Sequence, residues 1–255
     1  METLSAWFGD VVFGGADSGP AVITVIGSGG KTSLIWLLAN RLARRSLRVL
    51  VTPATKMFPP APAEHLFDHY CRGTPAVPLE GITLAGIFNE KTGKLESLPL
   101  PELEQISAGY DLVLIEGDGS KTLPLKGWAD HEPVVPRCTG ITVGMIPLRP
   151  LGMPASEKII HRFPLFCALS GVKPGEPLGL AHFAAAIDGA GQASRSLFTA
   201  ARGRKILFIN QIEDEALFAR AGELVSLLTP EFRSDLDRVI AGSALRDTAR
   251  EIRKY

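Results

Sequence analysis

The stretch "AVITVIGSGGKTSLIWLLANRLARR", Ala21 to Arg45, decides how the rest of the chain is read. Val22-Ile23-Thr24-Val25-Ile26 is a short, β-branched apolar run closed by glycine, which predicts a buried strand. From Ser33 to Arg45, Leu34, Leu37, Leu38 and Leu42 recur at helical spacing. Arg41, Arg44 and Arg45 fall near the end, where cations favour the helix dipole. Between the two lies Gly27-Ser28-Gly29-Gly30-Lys31-Thr32. A phosphate needs several backbone N–H groups converging on it, and residues without a Cβ let the chain come that close. A helix starting straight afterwards adds its free N–H groups and positive dipole end. Strand, glycine loop, Lys-Thr and helix in this order predict a nucleotide site. Gly27, Ser28, Gly29 and Gly30 form the cradle and Ser33 lies in the first helical turn. Lys31 reaches the β- and γ-phosphates, and the Thr32 hydroxyl ligates Mg²⁺.

The common form of this motif, G-x-x-x-x-G-K-[ST], has glycine where this chain has Val25. The loop is the shorter G-x-x-G-K-T variant and resembles that of the Mur ligases and their relatives. A glycine-rich turn carrying an exposed lysine is the alternative reading of the same residues.

Arg48-Val49-Leu50-Val51-Thr52 is the next strand and completes a βαβ unit of about 30 residues. Further apolar strands are expected at Tyr110–Glu116, Gly140–Gly144, Lys205–Asn210 and Asp237–Ala241, with an amphipathic helix from Ala216 to Leu228. Such alternation predicts an α/β fold with a mostly parallel, doubly wound sheet, P-loop NTPase-like, in one domain over residues 1–255. The section from about 56 to 105 is richer in Pro and Gly and reads as an inserted or edge elaboration. Within it Ile82–Phe88, followed by Lys91-Thr92-Gly93-Lys94, suggests a β-hairpin.

Of the 255 residues 45% are apolar and 21% charged, and 27 basic residues balance 27 acidic ones. That composition is ordinary for a soluble protein, and the zero net charge argues against nucleic acid or anionic membrane as partner. Cys71, Cys138 and Cys167 are scattered without metal-ligand spacing, which suits a reducing compartment. The start Met1-Glu2-Thr3-Leu4 has no basic segment before an apolar run, and no apolar stretch approaches the roughly 20 residues of a membrane span. A cytoplasmic location is expected.

A phosphate loop needs a carboxylate nearby for Mg²⁺, in doubly wound sheets usually at the carboxyl end of a neighbouring strand. "DLVLIEGDGSKTLPLK", Asp111 to Lys126, supplies Glu116 and Asp118 where a strand meets glycine, and alternation turns both to one side if the chain stays extended. Asp118 is the expected metal-associated acid, with help from Glu116. Lys121 is placed to neutralise phosphate charge during transfer or to pair with Asp118.

"GSGGKTSL", "VTPATKMFPP", "LIEGDGSKTLPLKGWADHEPVVP", "LGMPASEKIIHRFPLF" and "ILFINQIED" follow one another in this chain. In that order they resemble the landmarks of the YqeC family, from about residue 22 to 215. The resemblance implies a P-loop protein serving the maturation of a selenium-dependent molybdenum hydroxylase. The hydroxylase itself, or the proteins that mature its cofactor, would be the partner. Where family members often have a second threonine after the lysine and a lysine in an Asn-Lys-x-Asp-like segment, this chain has Ser33 and Gln211.

Other candidates stand around this frame. Thr52, Thr55 and Lys56 follow the second strand, where Lys56 would read the γ-phosphate. His131-Glu132 is a candidate acid/base pair. His161-Arg162 either points an imidazole and a guanidinium at an anion or decorates a helix with Glu157. "INQIEDEALF" compares with Asn-Lys-x-Asp, the guanine-reading signature of GTPases, and "AGSAL", Ala241 to Leu245, with the loop that supports it. There Asn210 contacts nucleotide and Glu213 or Asp214 reads the base, unless these residues simply cap the following helix. ATP and GTP both remain open. The expectation is an Mg²⁺-dependent, slow NTPase working through Lys31, Asp118, Glu116 and Lys121. A nucleotide-sensing chaperone and a small-molecule kinase or ligase are its rivals.

Overall fold

The structure, a computed structural model, describes residues 3–14, 19–43, 47–189 and 195–253. The expected helix positions Arg44 and Arg45 lie outside them. Among the described residues the chain forms α1 (Leu4–Phe13), β1 (Ala21–Gly27), α2 (Lys31–Leu42), β2 (Arg48–Pro53), β3 (Lys56–Met57), β4 (His69–Cys71) and β5 (Gly81–Ala85). There follow β6 (Ile87–Asn89), β7 (Lys94–Glu96), α3 (Leu100–Ser107), β8 (Leu112–Glu116), β9 (Leu125–Lys126), β10 (Ile141–Pro147) and β11 (Ile160–His161). The last third holds α4 (Phe163–Ser170), α5 (Leu180–Asp188), β12 (Arg204–Asn210), α6 (Glu215–Leu227), α7 (Pro230–Asp235), β13 (Arg238–Ser243) and β14 (Thr248–Glu251).

Nine of these strands make one sheet in the order β14-β13-β12-β10-β1-β8-β2-β5-β4. Every neighbouring pair is parallel except β13 and β14. The α/β fold with a mostly parallel sheet is therefore as the sequence predicts. Parallel strands need cover on both faces, and alternate residues of β1 supply it. Ile23 and Val25 pack in a cluster with Leu4 and Phe8 of α1 and Leu34 and Leu38 of α2. Ile26 joins Phe166, Phe183 and Leu224 of α4, α5 and α6, and Val22 joins Leu103 of α3.

The chain leaves β1 through α2 to β2, returns through β8 beside β1, and then crosses to β10 on the other side. That reversal falls between β8 and β10 on either side of β1, and in open α/β sheets ligands bind at the carboxyl ends of strands at such a point.

Three elements depart from the sequence reading. The stretch Ile82–Phe88 is not one arm of a hairpin: it breaks at Gly86, whose N–H donates to Cys71 O. Its first part is β5 of the main sheet, and the hairpin is β6–β7, extended by β3 into a small antiparallel sheet. The 56–105 section thus gives the main sheet its edge strands β4 and β5. The last expected strand runs on to Ser243 and is followed by the antiparallel β14. Lastly, α1 buries Leu4, Trp7 and Phe8 and is tied down at Asp247, whose carboxylate accepts from Ser5 N–H and Ser5 Oγ, each at 2.8 Å. No helix among the described residues is long and apolar enough to cross a membrane.

Candidate functional site

The glycine loop leaves β1 and is walled by the ends of the two strands beyond it. Gly27, Gly29 and Gly30 have φ of 97°, 78° and 128°, the region where a side chain is strained. A Cβ on Gly29 would stand 2.3 Å from the Pro147 ring at the end of β10, and one on Gly30 2.4 Å from Asn210 Nδ2 at the end of β12. Glycine is therefore required by both the backbone and its neighbours. Asn210 clamps the loop: its Nδ2 donates to Gly29 O at 2.7 Å, and its Oδ1 accepts from Ala244 N–H at 2.9 Å. One amide side chain thus joins the loops that follow β1 and β13.

The loop's N–H groups divide in two. Gly27 N–H donates to both Asp118 oxygens, at 3.0 and 3.1 Å, and Ser28 N–H to Met145 O at 3.1 Å. From Gly29 through Ser33 no N–H donates to a protein acceptor among the described residues. Three of these five belong to the first turn of α2 and two to the residues just before it, where the helix dipole's positive end lies. Of the expected phosphate-binding residues Gly27 to Ser33, the first two thus spend their N–H groups on the protein, and those of Gly29 to Ser33 are left for an anion.

Asp118 is wholly buried and fully engaged. Besides Gly27 N–H it has Lys31 Nζ 3.3 Å from Oδ1, and Lys126 Nζ and Trp128 Nε1 donating to Oδ2 at 3.0 Å each. With so many donors its oxygens have little capacity left for a metal ion, contrary to the expectation for this residue. Glu116 differs. Its Oε2 accepts from Thr32 Oγ1 at 2.9 Å, and its Oε1 has no protein donor among the described residues. Burial raises the Glu116 pKa, against the pull of Lys31 and the Thr32 bond. The pair Thr32–Glu116 is the set of hard oxygen donors that fits Mg²⁺.

Beyond Asp118 the charges continue. Lys126 Nζ, completely buried, places its three protons on Asp118 Oδ2, Gly119 O at 2.7 Å and Glu132 Oε2 at 2.8 Å. Arg162 grips both oxygens of Glu132, through Nη1 on Oε2 and through Nη2 on Oε1 at 3.1 Å. Burial on its own would raise the Glu132 pKa, but Arg162 and Lys126 outweigh it and hold the carboxyl below its usual range. β9 and β11 pair in parallel and set His161 opposite Lys126. Desolvation, then the charges of Arg162, Lys126 and Lys121, push the His161 pKa from 6.5 down to about 4.

These contacts sort the remaining candidates. Lys126 holds Asp118, whereas Lys121 is exposed on a left-handed turn. Lys56 pairs with Glu96 at 2.7 Å in the small sheet and is 57% exposed, so it is engaged away from the loop. Thr52 and Thr55 carry buried hydroxyls without a protein partner at the end of β2. His131 is exposed while Glu132 is buried, which separates the supposed acid/base pair. Arg162 holds Glu132 rather than Glu157. Asp214 caps α6 through Leu217 N–H at 2.7 Å. Lys126 and Trp128 were missed as site residues, although "LPLKGW" lies in the stretch that carries the family resemblance.

Two outcomes are expected. Lys126→Met leaves two buried carboxylates without their shared cation and should cost about 3–5 kcal/mol in denaturant titration; a loss below about 1 kcal/mol would show that the network adds little. The unfolded chain protonates His161 near pH 6.5 and the folded one near 4. Stability from this residue is present above pH 6.5 and drains away as pH falls toward 4. Thermal melts of His161→Asn should accordingly fall less between pH 7 and 5 than those of the wild type, and parallel slopes would refute this.

A family model described as YqeC protein matches residues 23–164, more than half of the chain. The matched segment contains the glycine loop, Glu116, Asp118, Lys126, Glu132 and Arg162, and stops short of Asn210. The Uncharacterized protein YqeC of Escherichia coli (strain K12) is 29% identical over 236 residues, covering 89% of each chain. Every charged group of the buried network lies inside the match, and this chain belongs to the YqeC family.

Proposed function

We propose that this protein binds a magnesium nucleoside triphosphate at the loop after β1, in a P-loop NTPase-like fold, and hydrolyses it slowly in the cytoplasm. The observation that carries this reading is the row of five N–H groups from Gly29 to Ser33 without protein acceptors. Such a row at a helix start suits an anion. Lys31 reinforces it: its ammonium, 3% exposed, rests on Gly27 O at 2.6 Å and beside Asp118, within the loop itself. Thr32 and Glu116 would hold the metal. An Mg²⁺ bound there would take its other ligands from phosphates and water. When bound, Mg²⁺ would neutralise charge on the phosphoryl oxygens. Service to a selenium-dependent molybdenum hydroxylase is proposed on the family resemblance.

A second reading, a nucleotide sensor without turnover of its own, is favoured by the chain of contacts from Lys31 through Asp118, Lys126 and Glu132 to Arg162. It ends at Arg162, the N-cap residue of α4. Phosphate release separates the two readings.

Binding of ATP and GTP with Mg²⁺, followed by calorimetry, should weaken more than tenfold in Lys31→Ala, since a lost charged contact costs about 1.5–3 kcal/mol. If wild type binds neither, the reading fails. Glu116→Gln should raise the melting temperature of the nucleotide-free protein at pH 7. Its raised pKa means that stability falls as pH climbs from the unfolded carboxylate range through the folded value. The same variant should lose Mg²⁺ dependence of binding, and an unchanged Mg²⁺ titration would remove Glu116 from the metal site.

A further inference from the structure

Resting on the nucleotide reading, we propose that the base bound is guanine and that the Glu213 carboxylate reads it. A nucleotide with its phosphates on Gly29 to Ser33 needs a place for its base along the same carboxyl edge of the sheet. The Asn210 clamp fixes where the candidate loops stand, because it joins Gly29 to Ala244 across the end of β12. Ile212 N–H adds a bond to Gly242 O at 3.0 Å, so the segment after β12 is also tied to β13. Residues 211–214 and 243–246 therefore form one rigid pair of loops beside the phosphate cradle.

Three groups on those loops suit a purine. Leu245 is 89% exposed, a large apolar side chain in water that would gain from a flat ring laid on it. The Leu245 N–H donates to no protein acceptor among the described residues, and guanine O6 is an acceptor. The third group is the carboxylate. An ionised carboxylate only accepts, and guanine presents N1–H and N2–H₂ side by side, whereas adenine presents an acceptor at N1. Three acidic residues adjoin here, and the structure separates their roles: Glu215 is paired with Arg250 at 2.6 Å. Asp214 is used up as the cap of α6. Glu213 is half exposed and its nearest cation, Arg246, is 3.9 Å away and exposed too, an approach worth little in water. Glu213 also stands at the fourth position of Asn210-Gln211-Ile212-Glu213, so the clamp and the reader share one short segment.

The test is calorimetric titration of GDP, ADP and xanthosine diphosphate, with Mg²⁺, into wild type, Glu213→Gln and Lys31→Ala. Wild type is expected to bind GDP at least about tenfold more tightly than ADP, the worth of one charged hydrogen bond. In Glu213→Gln that preference should shrink and xanthosine diphosphate should overtake GDP, because the amide N–H₂ now faces the base's O2 carbonyl. This gain cannot come from misfolding. If GDP and ADP bind wild type alike and both weaken in Lys31→Ala, the phosphate reading stands and guanine recognition is overturned. If the GDP preference survives unchanged in Glu213→Gln, Glu213 is not the reader. If no nucleotide binds wild type, both proposals fall.

Discussion

Everything at the carboxyl edge of this sheet is arranged around one wholly buried carboxylate, that of Asp118. Taking such an ion out of water costs several kcal/mol even after relaxation, and only close partners repay it. Its partners come from three places: Gly27 N–H and Lys31 from the glycine loop, Lys126 from β9, and the Trp128 indole just beyond. None of these segments is free to settle elsewhere without leaving the charge unpaired. The loop's shape and the path of residues 117–134 are therefore fixed together.

On the nucleotide reading this arrangement sets the terms of binding. Lys31, Lys126 and Arg162 face Glu116, Asp118 and Glu132, three charges against three. An arriving triphosphate adds negative charge beside Lys31, and the hold of Lys31 on Asp118 weakens as the phosphate takes its share. Lys126 then carries more of Asp118 and less of Glu132. In a low-dielectric interior such adjustments propagate through every member of the network. Arg162, the last of them, precedes α4 directly, so the network ties the glycine loop to the start of that helix.

The fold was legible because its central strands are continuous apolar runs ended by glycine, and periodicity alone finds those. α1 was not, since nothing in Leu4–Phe13 shows that Asp247, at the far end of the chain, ties it down. The break at Gly86 was hidden for a related reason: Ile82–Phe88 reads as one apolar run, and only its neighbour Cys71 shows where it divides. In the site, Lys31, Thr32, Glu116 and Asp118 were visible because their chemistry follows from local spacing. Lys126 was not, since a lysine in a loop of prolines and glycines reads as solvated until the fold carries it onto a carboxylate. The same fold converts Glu132 from a loop acid into a buried anion, and turns Arg162 inward to meet it.

Of the six non-glycine residues with positive φ among the described residues, five lie on the loops of this edge: Lys121, Thr122, Arg162, Gln211 and Asp247. Each such conformation costs on the order of 1–3 kcal/mol and persists only where surrounding contacts over-determine it. For Arg162 the compensation is visible in the two-point grip on Glu132. For Gln211 it lies one residue earlier: the left-handed turn follows directly on Asn210, whose side chain bonds the two loops at once. Strain is thus accepted where it fixes a charge or a clamp that no relaxed backbone would place. Local preference rules fail at this edge because the buried network, and not the strand or helix it interrupts, decides the conformation.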